Sequence, residues 1–260
     1  MKICVLAPFH DGGLTTVSAL ISDMLSRKCA LPVTLTHTGS EDTSMSLYLN
    51  LESKKDPTQS LTSILKMIQN DQISGEDLKD YTIKCGNKLG VLDPNNKTVS
   101  ESDANKLLDS VLEAVDNELA VIDIVTELYE ESTEQLLANS DFFVCVLSQS
   151  EDVLHKMEVW MTSPLWESIQ KKGVMYVVNK FNRHIGALRD ITNKLNLRHV
   201  KVCKISYNPL IVKYSNTGRL LDVNTEILNK SPLFFQHYNE LKDIIGVITQ
   251  NLGLPMNWKN

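Results

Sequence analysis

The chain of 260 residues reads as an α/β domain with a doubly wound, mostly parallel sheet of about seven strands and helices on both faces. Three observations predict this. Short apolar runs recur along the chain, and most are continuous, not alternating, as expected of strands covered on both faces. Segments with helical spacing lie between them. No Pro/Gly/Ser-rich linker divides the chain, so residues 1–260 are expected to form one domain.

The strand candidates are 2–7, 33–36, 89–92, 119–124, 142–147, 174–178 and 200–205. The first leads through Pro8-Phe9-His10-Asp11-Gly12-Gly13 into a helix with Val17, Leu20, Ile21 and Met24 on one face. The polar stretch 37–59 reads as a loop with a short helix around 43–51. Leu61, Ile64, Leu65 and Ile68 repeat at helical spacing. So do Ala104, Leu107, Leu108, Val111, Leu112 and Val115, in a helix capped by Ser100 or Ser102. The acidic run Glu127–Glu134 reads as a solvated helix start, with its carboxylates at the positive end of the dipole. Trp160, Trp166, Met157 and Met161 flank a Ser163-Pro164 break and are expected to pack in the core. Phe234, Tyr238, Leu241, Ile245, Ile248 and Leu252 form the apolar stripe of a long helix on the sheet.

Composition narrows the function. A net charge of −6 argues against nonspecific nucleic-acid binding. The five cysteines are scattered without a CxxC pair, as reduced, buried thiols of a cytoplasmic protein would be. No apolar run approaches the ~18–20 residues of a membrane span, and the N-terminus does not resemble a signal peptide. The six histidines lack metal-ligand spacing and are expected at the surface or at caps, so no metal is expected. No G-x-S-x-G elbow occurs.

The strand–glycine turn–helix layout at the start is that of a P-loop, with Gly12, Gly13, Thr15 and Thr16 in place. Such a loop converges backbone N–H groups on phosphate, supplies a lysine for the β/γ charge and a hydroxyl for Mg²⁺, and is backed by an acid on another strand. Asp123, after Leu119-Ala120-Val121-Ile122, suits that acid. The lysine is missing: none occurs between Lys2 and Lys28, and Leu14 stands before Thr15. Asp11 adds a carboxylate to the loop. Two unit charges 4 Å apart interact by ~4 kcal/mol at an effective dielectric of 20, so losing a cation and gaining an anion weakens triphosphate binding by several kcal/mol.

These residues resemble the ParA/MinD family of deviant P-loop ATPases, and most of all its atypical TadZ/CpaE-like members, whose P-loop is degenerate. The family's KGGxGKTT aligns with Phe9–Thr16, placing Phe9 at the signature lysine and Leu14 at the P-loop lysine. Its second strand bears an aspartate; here Val33–Gly39 has no acid. Ala120-Val121-Ile122-Asp123 resembles the next acidic strand, followed by Ile124-Val125-Thr126 in place of Thr-Pro-Pro. Val177-Val178-Asn179-Lys180 resembles the strand whose asparagine reads adenine, and Ile205–Gly218 the family's later IPxDxxVxxAxNxG segment, with Ser206 for its proline. The resemblance implies a vestigial nucleotide site of Gly12, Gly13, Thr15, Thr16, Asp123 and Asn179, with no catalytic residue and at most weak binding of ATP or ADP. It also implies action through protein partners in a pilus, secretion or conjugation machine. Recruitment to the inner face of the membrane by a partner and a nucleotide-independent homodimer follow from the same reading. Two alternatives stand beside it. One is an ATPase borrowing a lysine such as Lys180 or Lys213. The other is a DNA partition or regulatory protein, which would bind DNA in a salt-dependent way.

Overall fold

A computed structural model describes residues 1–8, 12–38, 44–54, 63–64, 66–67, 70, 72, 81–86, 88–93, 105, 108–109, 112, 119–125 and 131–257. Its centre is one eight-stranded sheet in the order β3-β4-β2-β5-β1-β6-β7-β8. The strands are β1 (Lys2–Leu6), β2 (Val33–His37), β3 (Ile83–Lys84), β4 (Leu89–Leu92), β5 (Leu119–Asp123), β6 (Phe142–Leu147), β7 (Val174–Phe181) and β8 (Val202–Ser206). All neighbours pair in parallel except β3 and β4. The seven expected strands form, and β3 is the additional one. β7 runs on to Phe181, three residues beyond its expected end at 178.

Among the described residues the helices are α1 (Leu14–Lys28), α2 (Ser44–Leu49), α3 (Glu131–Ala138), α4 (Glu151–Met161), α5 (Pro164–Lys172), α6 (Leu188–Lys194), α7 (Pro209–Asn216), α8 (Asp222–Leu228) and α9 (Phe235–Leu252). The short helix expected near 43–51 and the long terminal helix are α2 and α9. The described residues of the two middle helices, 63–64, 66–67, 105, 108–109 and 112, are helical. The expected caps Ser100 and Ser102, the first residues of the acidic run through Glu130, and Leu61, Leu65, Ile68, Ala104, Leu107, Val111 and Val115 lie outside the described residues.

The central strands are apolar throughout because each faces a core on both sides. Ile3 and Val5 of β1 enter one cluster with α1, α8 and α9; Cys4 and Leu6 enter the other with α3 to α6. Val17, Leu20, Ile21 and Met24 are buried as their spacing predicts, and so are Leu241, Ile245 and Ile248. The Ser163-Pro164 break starts α5, where the Ser163 hydroxyl accepts from the Trp166 N–H at 3.2 Å. Trp166 and Met157 are core residues, whereas Trp160 and Met161 are half-buried at its margin. α8 is pinned to α1 by Asn224, whose amide donates to Leu20 O at 2.9 Å and to the buried Asp23 carboxylate at 3.0 Å. Burial raises the pKa of that carboxyl, against the pull of Arg27. β1 lies between β5 and β6, so successive crossovers diverge at its carboxyl end, the place where open α/β sheets bind ligands.

Candidate functional site

The loop after β1 enters α1 through Gly13 at φ 76 and ψ 33, a left-handed conformation that favours glycine. A Cβ placed on Gly13 would lie 2.3 Å from Nδ2 of Asn179. The close approach has a purpose: the buried Asn179 amide donates to the Gly12 carbonyl at 2.8 Å and reaches the Gly13 carbonyl at 3.5 Å. Asn179 thus clamps the loop to β7. Asn179→Ala is expected to lower stability by about 1–2 kcal/mol, read from the urea midpoint, because it removes the donor to the Gly12 carbonyl, whereas the Gly13 carbonyl still accepts from Val17 N–H.

Past the loop, Leu14 is 6 % exposed and belongs to the core cluster under α1. Leu14, aligned in the sequence with a P-loop lysine, is thus a core side chain that also borders the neighbouring cleft. Thr15 and Thr16 face a cleft of about 410 Å³, within the usual range for small-molecule sites. Its other walls come from Ser44 and Tyr48 of α2 and from the β8–α7 junction at Ser206, Tyr207 and Asn208. Asn208 caps α7, accepting from Leu210 N at 3.0 Å and donating to Leu233 O at 3.0 Å. The buried Glu240 of α9 fixes Ser206 by accepting from its N–H at 2.9 Å and its hydroxyl at 2.6 Å. The Ile205–Gly218 segment is therefore the far wall of the cleft. Among its described lining residues Lys180 is the only charged side chain. Lys213 lines a separate cavity of about 220 Å³ with Tyr214 and Arg219.

Asp123 ends β5 beside Val5 and His37. It is completely buried, and neither carboxylate oxygen makes a hydrogen bond of good geometry among the described residues. Burial pushes its pKa up to about 6, against the nearby Thr15 hydroxyl, the charge of His37 and the Ser18 hydroxyl. It stands under the first turn of α1 and is not among the residues facing the cleft.

Two of the dispersed histidines lie in the interior, whereas surface or cap positions were expected of them. His237 is 5 % exposed, and its Nε2 meets Ser206 O at 3.0 Å. His37 is fully buried. Its Nδ1 is 3.0 Å from Thr38 O and its Nε2 is 3.1 Å from an Asp93 carboxylate oxygen. Both ring nitrogens thus face oxygen atoms of the interior. The stretch that lacks an acid at the end of β2 carries a buried imidazole there, bonded to Asp93 and paired in register with Asp123. No spacing signal in the sequence could have paired His37 with Asp93, which are 56 positions apart.

The structure thus brings Gly12, Gly13, Thr15, Thr16 and Asn179 together at one loop, with Asp123 beneath them. Phe9 and Asp11 lie outside the described residues. No group of three or more metal-ligating side chains occurs among the described residues, and no described helix is long and apolar enough to cross a membrane.

No family model matches the chain, and no curated protein matches it. Solved structures do. The septum site-determining protein MinD of Pyrococcus horikoshii, complexed with Mg-ADP, superposes at a TM-score of 0.68 with 14% identity, covering 96% of this chain and 98% of that one. MinD in the MinC:MinD cell division complex of Aquifex aeolicus gives 0.67 at 15% identity, covering 94% and 96%. A ParA family ATPase of Chlorobium tepidum gives 0.66 at 13%, covering 89% and 91%. At these identities the likeness is one of fold, extending over nearly the whole of each chain.

Proposed function

We propose, proceeding from a fold shared with MinD and ParA proteins, that this chain holds a nucleotide weakly without hydrolysing it and works through protein–protein contacts. In this reading it positions or assembles a larger machine, such as a pilus, secretion or conjugation system. The observation that carries the loss of chemistry is Leu14: the phosphate lysine's place is taken by a core side chain, while the cleft beside it persists. The absence of Asp123 from the described residues that line the cleft supports the same reading. Nucleotide in the cleft is supported by the Mg-ADP of the horikoshii protein. Action through a partner is supported by the MinC:MinD assembly. It is also supported by the exposed Tyr207, which lines the cleft, and the exposed Leu233, whose carbonyl accepts from Asn208. The kind of machine rests on the resemblance to TadZ/CpaE-like proteins.

Phosphate release from ATP is expected to stay at the uncatalysed background, and the mass in light scattering to be the same with and without ATP·Mg²⁺. An ATP-driven shift from monomer to dimer would overturn the reading. One observation favours a second reading, an ATPase with a borrowed lysine: Lys180 does reach the loop. Steady phosphate release abolished by Asp123→Ala would decide for it.

A further inference from the structure

Successive side chains of a regular strand point to opposite faces. β7 departs from this at Asn179–Lys180. Val178 pairs with Lys204 and Phe181 with Ser206, so β7 holds two residues where β8 holds one. Such a one-residue bulge is rare between parallel strands and re-aims side chains where it occurs. Lys180 takes φ 52, a left-handed conformation that costs a non-glycine residue roughly 1 kcal/mol. The other described non-glycine residues with positive φ, Asn50, Asn196 and Lys230, all lie in turns. Lys180 alone among them lies in a strand.

The result is that two consecutive side chains converge on one glycine. The Cβ position of Gly13 is 2.3 Å from Asn179 Nδ2 and 3.6 Å from Lys180 Cε. Asn179 is buried and holds the loop; Lys180 is exposed and faces the cleft with Thr15 and Thr16. Its ammonium is carried to the N-terminal end of the 15-residue α1, where unpaired backbone N–H groups already favour an anion.

We propose that Lys180 is the phosphate-binding cation of this cleft, supplying from β7 the charge that Leu14 does not, and that it contacts the phosphates of a nucleoside diphosphate. This rests on the reading that the cleft takes a nucleotide. The strained bulge is the device that delivers the lysine.

The test is calorimetry of the full chain with ADP and with AMP, for wild type, Lys180→Met and Lys180→Asn; asparagine tolerates the left-handed backbone. Wild type is expected to bind ADP about tenfold more tightly than AMP, a modest ratio because the lysine is exposed. Both variants are expected to lose that preference while keeping their affinity for AMP and their melting temperature. An ADP preference that survives in both variants overturns the proposal. Equal binding of ADP and AMP by wild type also overturns it, and leaves the nucleotide reading standing. No binding of either by wild type overturns both.

Discussion

Asp123→Asn is expected to stabilise the protein at pH 8 by about 1–2 kcal/mol and to flatten its stability between pH 4 and 6. Asp123 is buried and its pKa rises from 3.8 to about 6, so the folded protein takes up the proton more readily than the unfolded chain. Below about pH 4 the carboxyl is protonated in both states and costs nothing. As pH rises, the unfolded chain ionises first and stability falls, until above about pH 6 both states are ionised and the full cost persists. A shift of that size corresponds to ~3 kcal/mol. Part is returned in the variant, because the new amide must itself find partners near Thr15 and Ser18. Chemical denaturation across pH 4–8 measures it. An unchanged slope in the variant, or a lower stability at pH 8, would contradict the sealed carboxylate.

Trp166→Ala is expected to cost about 3–5 kcal/mol, a large share of the ~5–15 kcal/mol that holds a typical domain together. Trp166 is 1 % exposed, lies 6.0 Å from the Trp160 ring and 6.3 Å from the Tyr176 ring between centroids, and joins α5 to the face of the sheet opposite α1. Alanine leaves a void there that surrounding helices cannot fill without leaving the sheet. The urea midpoint should fall steeply. A loss below about 1 kcal/mol would mean that α4 and α5 are not cemented to the strands as the packing indicates.

The fold was legible because its strands are buried on both faces: an apolar run such as 142–147 leaves little else to be. β3 was not legible, since two residues, one of them the exposed Lys84, carry no periodicity. The end of β7 was missed because Asn179 and Lys180 look like the polar stop of a strand, although the backbone bulges past them and returns to the buried Phe181. Gly13, Thr15 and Thr16 were readable as a loop from their order alone. Asp123 was readable as a strand-end acid, but its isolation from the cleft depends on the α1 turn above it. The His37–Asp93 pair and the direction of Lys180 depend on register and on a broken pleat, and neither leaves a local pattern in the residues.

The position of β1 has a consequence for how the molecule comes to be folded. The central strand is the first in the chain, yet its neighbours β5 and β6 begin at Leu119 and Phe142, and its loop is clamped by an amide 167 residues further on. Pairings this distant are slow, because loop-closure entropy is spent before the contacts that repay it exist. A growing chain therefore carries β1 without either sheet neighbour until Leu119–Asp123 has been made, and the glycine loop is clamped only after Asn179 has followed. Completion of the cleft is, in kinetic terms, a marker that the whole sheet has closed.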